Sequence, residues 1–169
     1  VGFHYIFPPL TFGLTFIIVM IEFLYYKTDS DIYKKTSTFL VKILGLVFAM
    51  GVASGIVLEF SFGTNWAQYS RLVGDIFGAP LAAEGIFSFF LESVFLGVLL
   101  FARDKVSKKA YLVSAILVFI ASHLSGLWII IANSWMQTPA GFKPVGNKVV
   151  LTDFFQAALN HSTIQRYTH

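Results

Sequence analysis

The sequence predicts an all-α fold: a polytopic transmembrane helix bundle with four full spans and the start of a fifth. Three observations predict it. Of the 169 residues, 56% are hydrophobic and only 12% charged, and the mean hydropathy is +0.73. A soluble domain carries about 25% charged residues. Four stretches reach the roughly 20 mostly apolar residues that a spanning helix needs. The basic residues gather in alternate loops, as they do when a chain crosses a membrane repeatedly. The same composition excludes a disordered chain, an ordinary water-soluble enzyme and a nucleic-acid-binding module. The net charge of +3 is too small to steer a polyanion. The lack of cysteine excludes a disulfide scaffold, an iron–sulfur protein and any thiolate ligand.

Residues 1–169 read as a single transmembrane domain and as a fragment of a longer protein. The chain opens on Val1-Gly2-Phe3 with no secretory signal pattern and stops early in a new helix. The spans run over about 5–26, 38–60, 77–102 and 110–135, and a fifth begins near 162 and is cut at 169. Between the fourth and fifth, Leu151 to Leu159 (LTDFFQAAL) has mixed polarity and suits a short interfacial helix. The stretch 136–150 (MQTPAGFKPVGNKVV) is linker-like, a surface excursion within one domain.

The loops orient the bundle. Lys27, Lys34 and Lys35 follow span one, and Arg103, Lys105, Lys108 and Lys109 follow span three; the other face holds Arg71, Lys143 and Lys148. The richer face is expected to be cytoplasmic, which puts the chain's start, loop 61–76 and loop 136–160 outside. Trp66, Tyr69 and Trp135 then fall where an outer aromatic belt would lie, and Tyr25, Tyr26 and Tyr111 where an inner one would.

Ionisable groups inside a span are costly and usually functional. Span three carries Glu84 and Glu92 in APLAAEGIFSFFLESVF. Eight residues of ideal helix turn about 80° beyond two full circles and rise about 12 Å, so the two carboxyls fall on adjoining faces at two depths. With Ser93 beside Glu92 and Ser125 in span four, such carboxyls can pass protons, because a carboxyl removed from water exchanges its proton near neutral pH. The other reading is two protonated carboxyls bonded to neighbouring helices; two on one span favour proton or ion handling. Glu22 and Glu59 lie near span ends and read as solvated, and Lys42 reads as a snorkelling side chain.

His4 lies at the outer end of span one, just before Pro8 and Pro9, which cannot bond the carbonyls of His4 and Tyr5 and so loosen the helix there. Its imidazole is either solvated or an axial ligand of a metal cofactor. His169, about two turns into the fifth span, is either a ligand or a hydrogen-bonded core histidine. Both fall in the outer half of the bilayer, so ligand sites there share one layer. His123 sits beside Ser122 and Ser125 and reads as an interhelical hydrogen bond; His161 reads as exposed. Gly45, Gly51 and Gly55, with Ala49 and Ser54, put small residues on span two, which suits close helix contact.

The stretches FHYIFPPLTFG (3–13), FAMGVASGIVLEFSFGTNWAQYSRLVGDIFGAPLAAEGIFSFFLES (48–93) and LSGLWIIIANSWMQTP (124–139) resemble the N-terminal half of subunit I of the cytochrome bd quinol oxidases. The likeness runs nearly end to end. It implies a terminal respiratory oxidase that oxidises membrane quinol and reduces O₂ to water. It also implies haem b together with haem d, or a second high-spin haem b. By the resemblance His4 matches the ligand of an active-site haem iron and His169 the ligand of the low-spin haem b iron. Glu84, Glu92, Ser93 and Ser125 match the proton path from the cytoplasm. The implied partners are membrane quinol, O₂, the lipid bilayer, a second oxidase subunit and small single-span subunits. The implied location is the bacterial or archaeal cytoplasmic (inner) membrane, multi-pass, with the N-terminal end outside. Val47 and His123 depart from the family, which usually has Asn at both positions. The competing reading is a cofactor-free proton-coupled transporter or channel.

Overall fold

A computed structural model describes residues 2–169. A 3₁₀ turn, His4–Ile6, leads into α1 (Phe7–Thr28). Then come α2 (Asp31–Thr64), α3 (Ala67–Ala83), a π-helical segment (Glu84–Phe89) and α4 (Phe90–Phe101). After these follow α5 (Lys108–Gln137), the strands β1 (Phe142–Val145) and β2 (Lys148–Leu151), and two short helices, α6 (Phe154–Ala158) and α7 (Thr163–Thr168). Among the described residues four helices are long and apolar enough to cross a membrane: His4–Thr28, Asp31–Thr64, Pro80–Phe101 and Lys108–Gln137. The fold is an all-α helix bundle, as the sequence predicts, with one added hairpin. α7 occupies the place where the sequence predicts a fifth span to begin.

The helix ends follow local chemistry. Pro8 and Pro9 fall in the first turn of α1, where their missing N–H groups would have no intrahelical partner anyway; the loosening expected near His4 takes the form of the 3₁₀ turn. α1 ends at Asp29, whose φ of 54° is left-handed and whose N–H bonds the Tyr25 carbonyl at 2.9 Å. Asp tolerates that conformation better than most residues. Ser107 accepts from the Ala110 N–H at 3.2 Å and so caps α5.

The chain divides into two compact units, Val1–Val57 with Ser88–His123, and Leu58–Phe87 with Leu124–His169. In the first, Ile18, Val41, Leu44, Leu96, Leu99, Tyr111, Ala115 and Val118 form the core. Small residues on α2 permit close approach: a Cβ on Gly45 would meet Leu100 Cδ2 at 3.0 Å, and one on Gly51 would meet Phe7 Cβ at 3.4 Å. In the second, Val73, Ile76, Phe77, Trp135 and Ala157 form the core, and β1 and β2 pair antiparallel with Phe142 opposite Leu151.

Several expectations are corrected. The predicted outer loop 61–76 is largely helical, because α2 runs on to Thr64 and α3 starts at Ala67. The linker-like stretch 136–150 holds β1 and most of β2, turned at Gly146, whose φ of 57° suits glycine. The interfacial helix within 151–159 shortens to α6, capped by the Asp153 carboxylate, which accepts from Gln156 N–H at 3.0 Å. Trp135, Tyr25 and Tyr111 are buried packing residues, not belt residues. Trp135 spends its indole N–H on the Ala140 carbonyl at 3.0 Å, and the two tyrosines flank an arginine described below. The eight-residue rotation between Glu84 and Glu92 assumed an unbroken α-helix, and the π segment invalidates it.

Candidate functional site

His4 is half-buried on the 3₁₀ turn of the first unit. Its Nδ1 lies 2.9 Å from Ser54 Oγ on α2. The next residue of α2 is Gly55, where a Cβ would stand 3.2 Å from His4 Cε1. The small-residue run on α2 thus leaves space for the imidazole. In the same unit Glu92 is buried, 6% exposed, on α4. Ser93 is turned to its own helix and gives its hydroxyl hydrogen to the Phe89 carbonyl at 2.7 Å. Ser88, one turn before Glu92, is 1% exposed and its hydroxyl has no hydrogen-bond partner among the described residues. His123 places Nδ1 2.9 Å from the Phe119 carbonyl and stacks on Phe12, ring centroids 4.7 Å apart.

In the second unit Glu84 opens the π segment and is half-buried. Ser125 on α5 donates to its Oε1 at 2.8 Å, so these two predicted residues meet. His169 ends the chain at the cap of α7 and is exposed, with its N–H on the Gln165 carbonyl at 3.1 Å. Gln165, Arg166 and Thr168 line the open hollow beside it. The apolar surroundings expected for His169 are not supplied by the described residues. The start of α7 is held by a buried polar knot: Ser134, 0% exposed, donates to Asn160 Oδ1 at 2.6 Å, and Thr163 Oγ1 reaches Ser134 Oγ at 3.1 Å. Ser162 and Thr138 extend it at 2.7 Å. Sequence reasoning missed this knot; its only signal is a run of polar residues, NHST, at the start of a helix.

A second cluster was also missed. Glu22, expected to be solvated, is 1% exposed. It accepts from Ser37 and pairs with Arg103. The Arg103 guanidinium lies over the rings of Tyr111 and Tyr25, at 4.2 and 5.0 Å from their centroids. Tyr111 in turn donates its hydroxyl to the Leu99 carbonyl at 2.7 Å. Beside this clasp two exposed pairs, Lys34–Asp104 and Lys108–Asp29, join the same helix ends. The Lys34 hydrogen bond holds the Asp104 carboxyl below its ordinary value.

Among the described residues no three His, Cys, Asp or Glu converge on one point. Neither His4 nor His169 belongs to such a group among the described residues. One imidazole suits an iron whose equatorial ligands come from a macrocycle, since such an iron takes its protein ligands only axially. The single imidazole of His4, seated against Gly55 with its Nδ1 on Ser54, fits that requirement.

The family described as cytochrome bd terminal oxidase subunit I matches residues 1–169. The chain is 43% identical over 169 residues to cytochrome bd-II ubiquinol oxidase subunit 1 of Escherichia coli (strain K12), covering 99% of this chain and 33% of that protein. It is 39% identical over 167 residues to cytochrome bd ubiquinol oxidase subunit 1 of Bacillus subtilis (strain 168), covering 99% of this chain and 36% of that one. Among solved structures, the bd oxidase of Geobacillus thermodenitrificans aligns with a TM-score of 0.90 at 25% identity, over 97% of this chain and 38% of its own. The chain spans about a third of the length of the relatives it matches.

Proposed function

Because the chain belongs to the cytochrome bd terminal oxidase subunit I family, we propose that it forms the N-terminal part of a quinol-oxidising, O₂-reducing enzyme. In this reading it works in the bacterial or archaeal cytoplasmic membrane with its N-terminal end outside. His4 holds an active-site haem iron and His169 the iron of a low-spin haem b. Bound haem, whether b alone or b with d, would supply electron transfer and the centre where O₂ is reduced. Quinol, O₂, a second subunit and small single-span subunits are its partners.

The chain's own contribution is to hold porphyrin irons and to deliver protons. The observation that carries this reading is Ser125 Oγ donating to Glu84 Oε1 at 2.8 Å. Two polar side chains from separate apolar helices are joined where a purely structural span would carry hydrocarbon. A proton arriving at Glu84 can bind the other carboxyl oxygen and be passed on once the Ser125 hydroxyl turns to accept it. Glu92, buried on α4, offers a second carboxyl, and Ser93, after rotating off the Phe89 carbonyl, a second hydroxyl.

The test uses the full-length subunit in its assembled complex. Reduced-minus-oxidised spectra are expected to lose or shift haem bands in His4→Ala and in His169→Ala; normal spectra in both would remove the ligand assignment. Glu84→Gln and Glu92→Gln are expected to slow O₂ consumption by about 10²-fold or more, the scale of a lost proton-transfer group, with haem content intact. Unchanged turnover would refute the proton path.

A further inference from the structure

We infer that Ser54 is a positioning residue for His4: it fixes the imidazole as the tautomer with hydrogen on Nδ1, leaving the Nε2 lone pair to bind metal. This rests on the proposal above that His4 is a haem ligand and names the group that prepares it. The argument is one of hydrogen counting. A serine hydroxyl has one hydrogen and two lone pairs. Ser54 Oγ lies 2.8 Å from the Met50 carbonyl and 3.1 Å from the Gly51 carbonyl, two contacts that only a donated hydrogen satisfies. Toward His4 the same oxygen can therefore only accept, and the 2.9 Å contact requires the hydrogen to be on Nδ1. A neutral imidazole with that hydrogen carries its lone pair on Nε2. Gly55 completes the arrangement, since a side chain there would press on Cε1, between the two nitrogens, at 3.2 Å.

The family likeness does not supply this role. It rests on a helical serine whose hydroxyl caps its own backbone, a common local habit, turned to a second use by the neighbouring turn. Hydrogen bonding of the non-ligating nitrogen orients a metal-bound imidazole and makes it a better electron donor.

Threonine and valine at position 54 differ only by a hydroxyl in place of a methyl, so the pair separates the hydrogen bond from bulk. In the full-length subunit of the assembled complex, the haem held by His4 is followed by its spectrum, its occupancy and its midpoint potential. Ser54→Thr is expected to keep all three. Ser54→Val is expected to weaken haem retention about 10- to 100-fold, the cost typical of a lost partner to a ligating histidine. Its potential is expected to move positive, because a poorer donor stabilises the oxidised iron less. The proposal is overturned if Thr and Val variants have the same occupancy and potential while His4→Ala loses the haem bands. If His4→Ala keeps every band, the ligand reading fails as well. Should Ser54→Val fail to assemble, Ser54→Ala is measured against Ser54→Thr, and equal potentials there overturn the proposal.

Discussion

At the residue scale the most consequential side chain outside the proposed site is Arg103. It neutralises Glu22, a carboxylate that is 1% exposed, and two tyrosine rings shield it. Removing one partner of a buried pair leaves the other charge uncompensated, which costs roughly 3–5 kcal/mol. Arg103→Ala is therefore expected to lower the thermal stability of the detergent-solubilised parent by that amount. Glu22→Leu combined with Arg103→Met is expected to recover most of it, because a well-packed apolar pair replaces a buried ionic one at little cost. Thermal unfolding of the two variants beside the parent checks both. Glu22 was illegible because its place near a span end says nothing about a partner 81 residues away. Its burial depends on a tertiary contact that hydropathy does not encode. Glu84 and Ser125 were legible, since polar residues stand out against apolar spans, but the bond between them also required the fold. Ser93 shows the converse: its position suggests a relay, while its hydroxyl satisfies its own helix.

At the element scale the strongest dependence is at the entry to the hairpin. Gly141 has φ +65°, and a Cβ there would collide with the Asp153 carbonyl and stand 2.9 Å from the Ala157 nitrogen. Its own carbonyl accepts from Thr152 and Asp153 at 2.8 and 3.0 Å. Gly141→Ala is expected to cost well over about 1 kcal/mol, the usual scale for alanine forced to positive φ, and to expose 138–158 to proteolysis in the otherwise folded protein. The knot that starts α7 is the second dependence. Asn160→Ala removes the acceptor of the buried Ser134 hydroxyl and is expected to cost about 1–3 kcal/mol. If the proposed ligation holds, bands of the haem assigned to His169 are expected to weaken in that variant while those of the haem assigned to His4 persist. Both elements were nearly invisible in the sequence. A stretch with Pro, Gly and Lys reads as linker, because a four-residue strand leaves too short an alternation to detect and its order comes from packing on α3. The long spans were legible for the opposite reason: some twenty apolar residues admit few other uses.

At the scale of the whole molecule, hydropathy settled how many helices are long enough to cross a membrane but not how far each extends. α2 is 34 residues long against a predicted span of 38–60, because polar turns at either end remain helical outside the apolar stretch. The orientation argued from the basic loops has a direct check. A cysteine introduced at Lys105 is expected to react with an impermeant thiol reagent only from the cytoplasmic side, and one at Lys143 only from the outside; labelling the other way round would invert the topology. Residues 1–169 hold no cysteine, so within them each label reports only the introduced site, and a cysteine-free background is compared beside it. The π segment carries a consequence for how the gene can vary. A π turn holds one residue more than an α turn, so losing a single codon within 84–89 would close it to ordinary helix and keep Leu96 and Leu99 in the core they help to build, whereas a loss within 90–95 would turn them about 100° away. The turn 102–107 has no such freedom, since it carries Arg103, Asp104 and the α5 cap Ser107. Single-residue deletions in descendants of this chain should therefore collect in the wide coil and spare α4 and the turn after it.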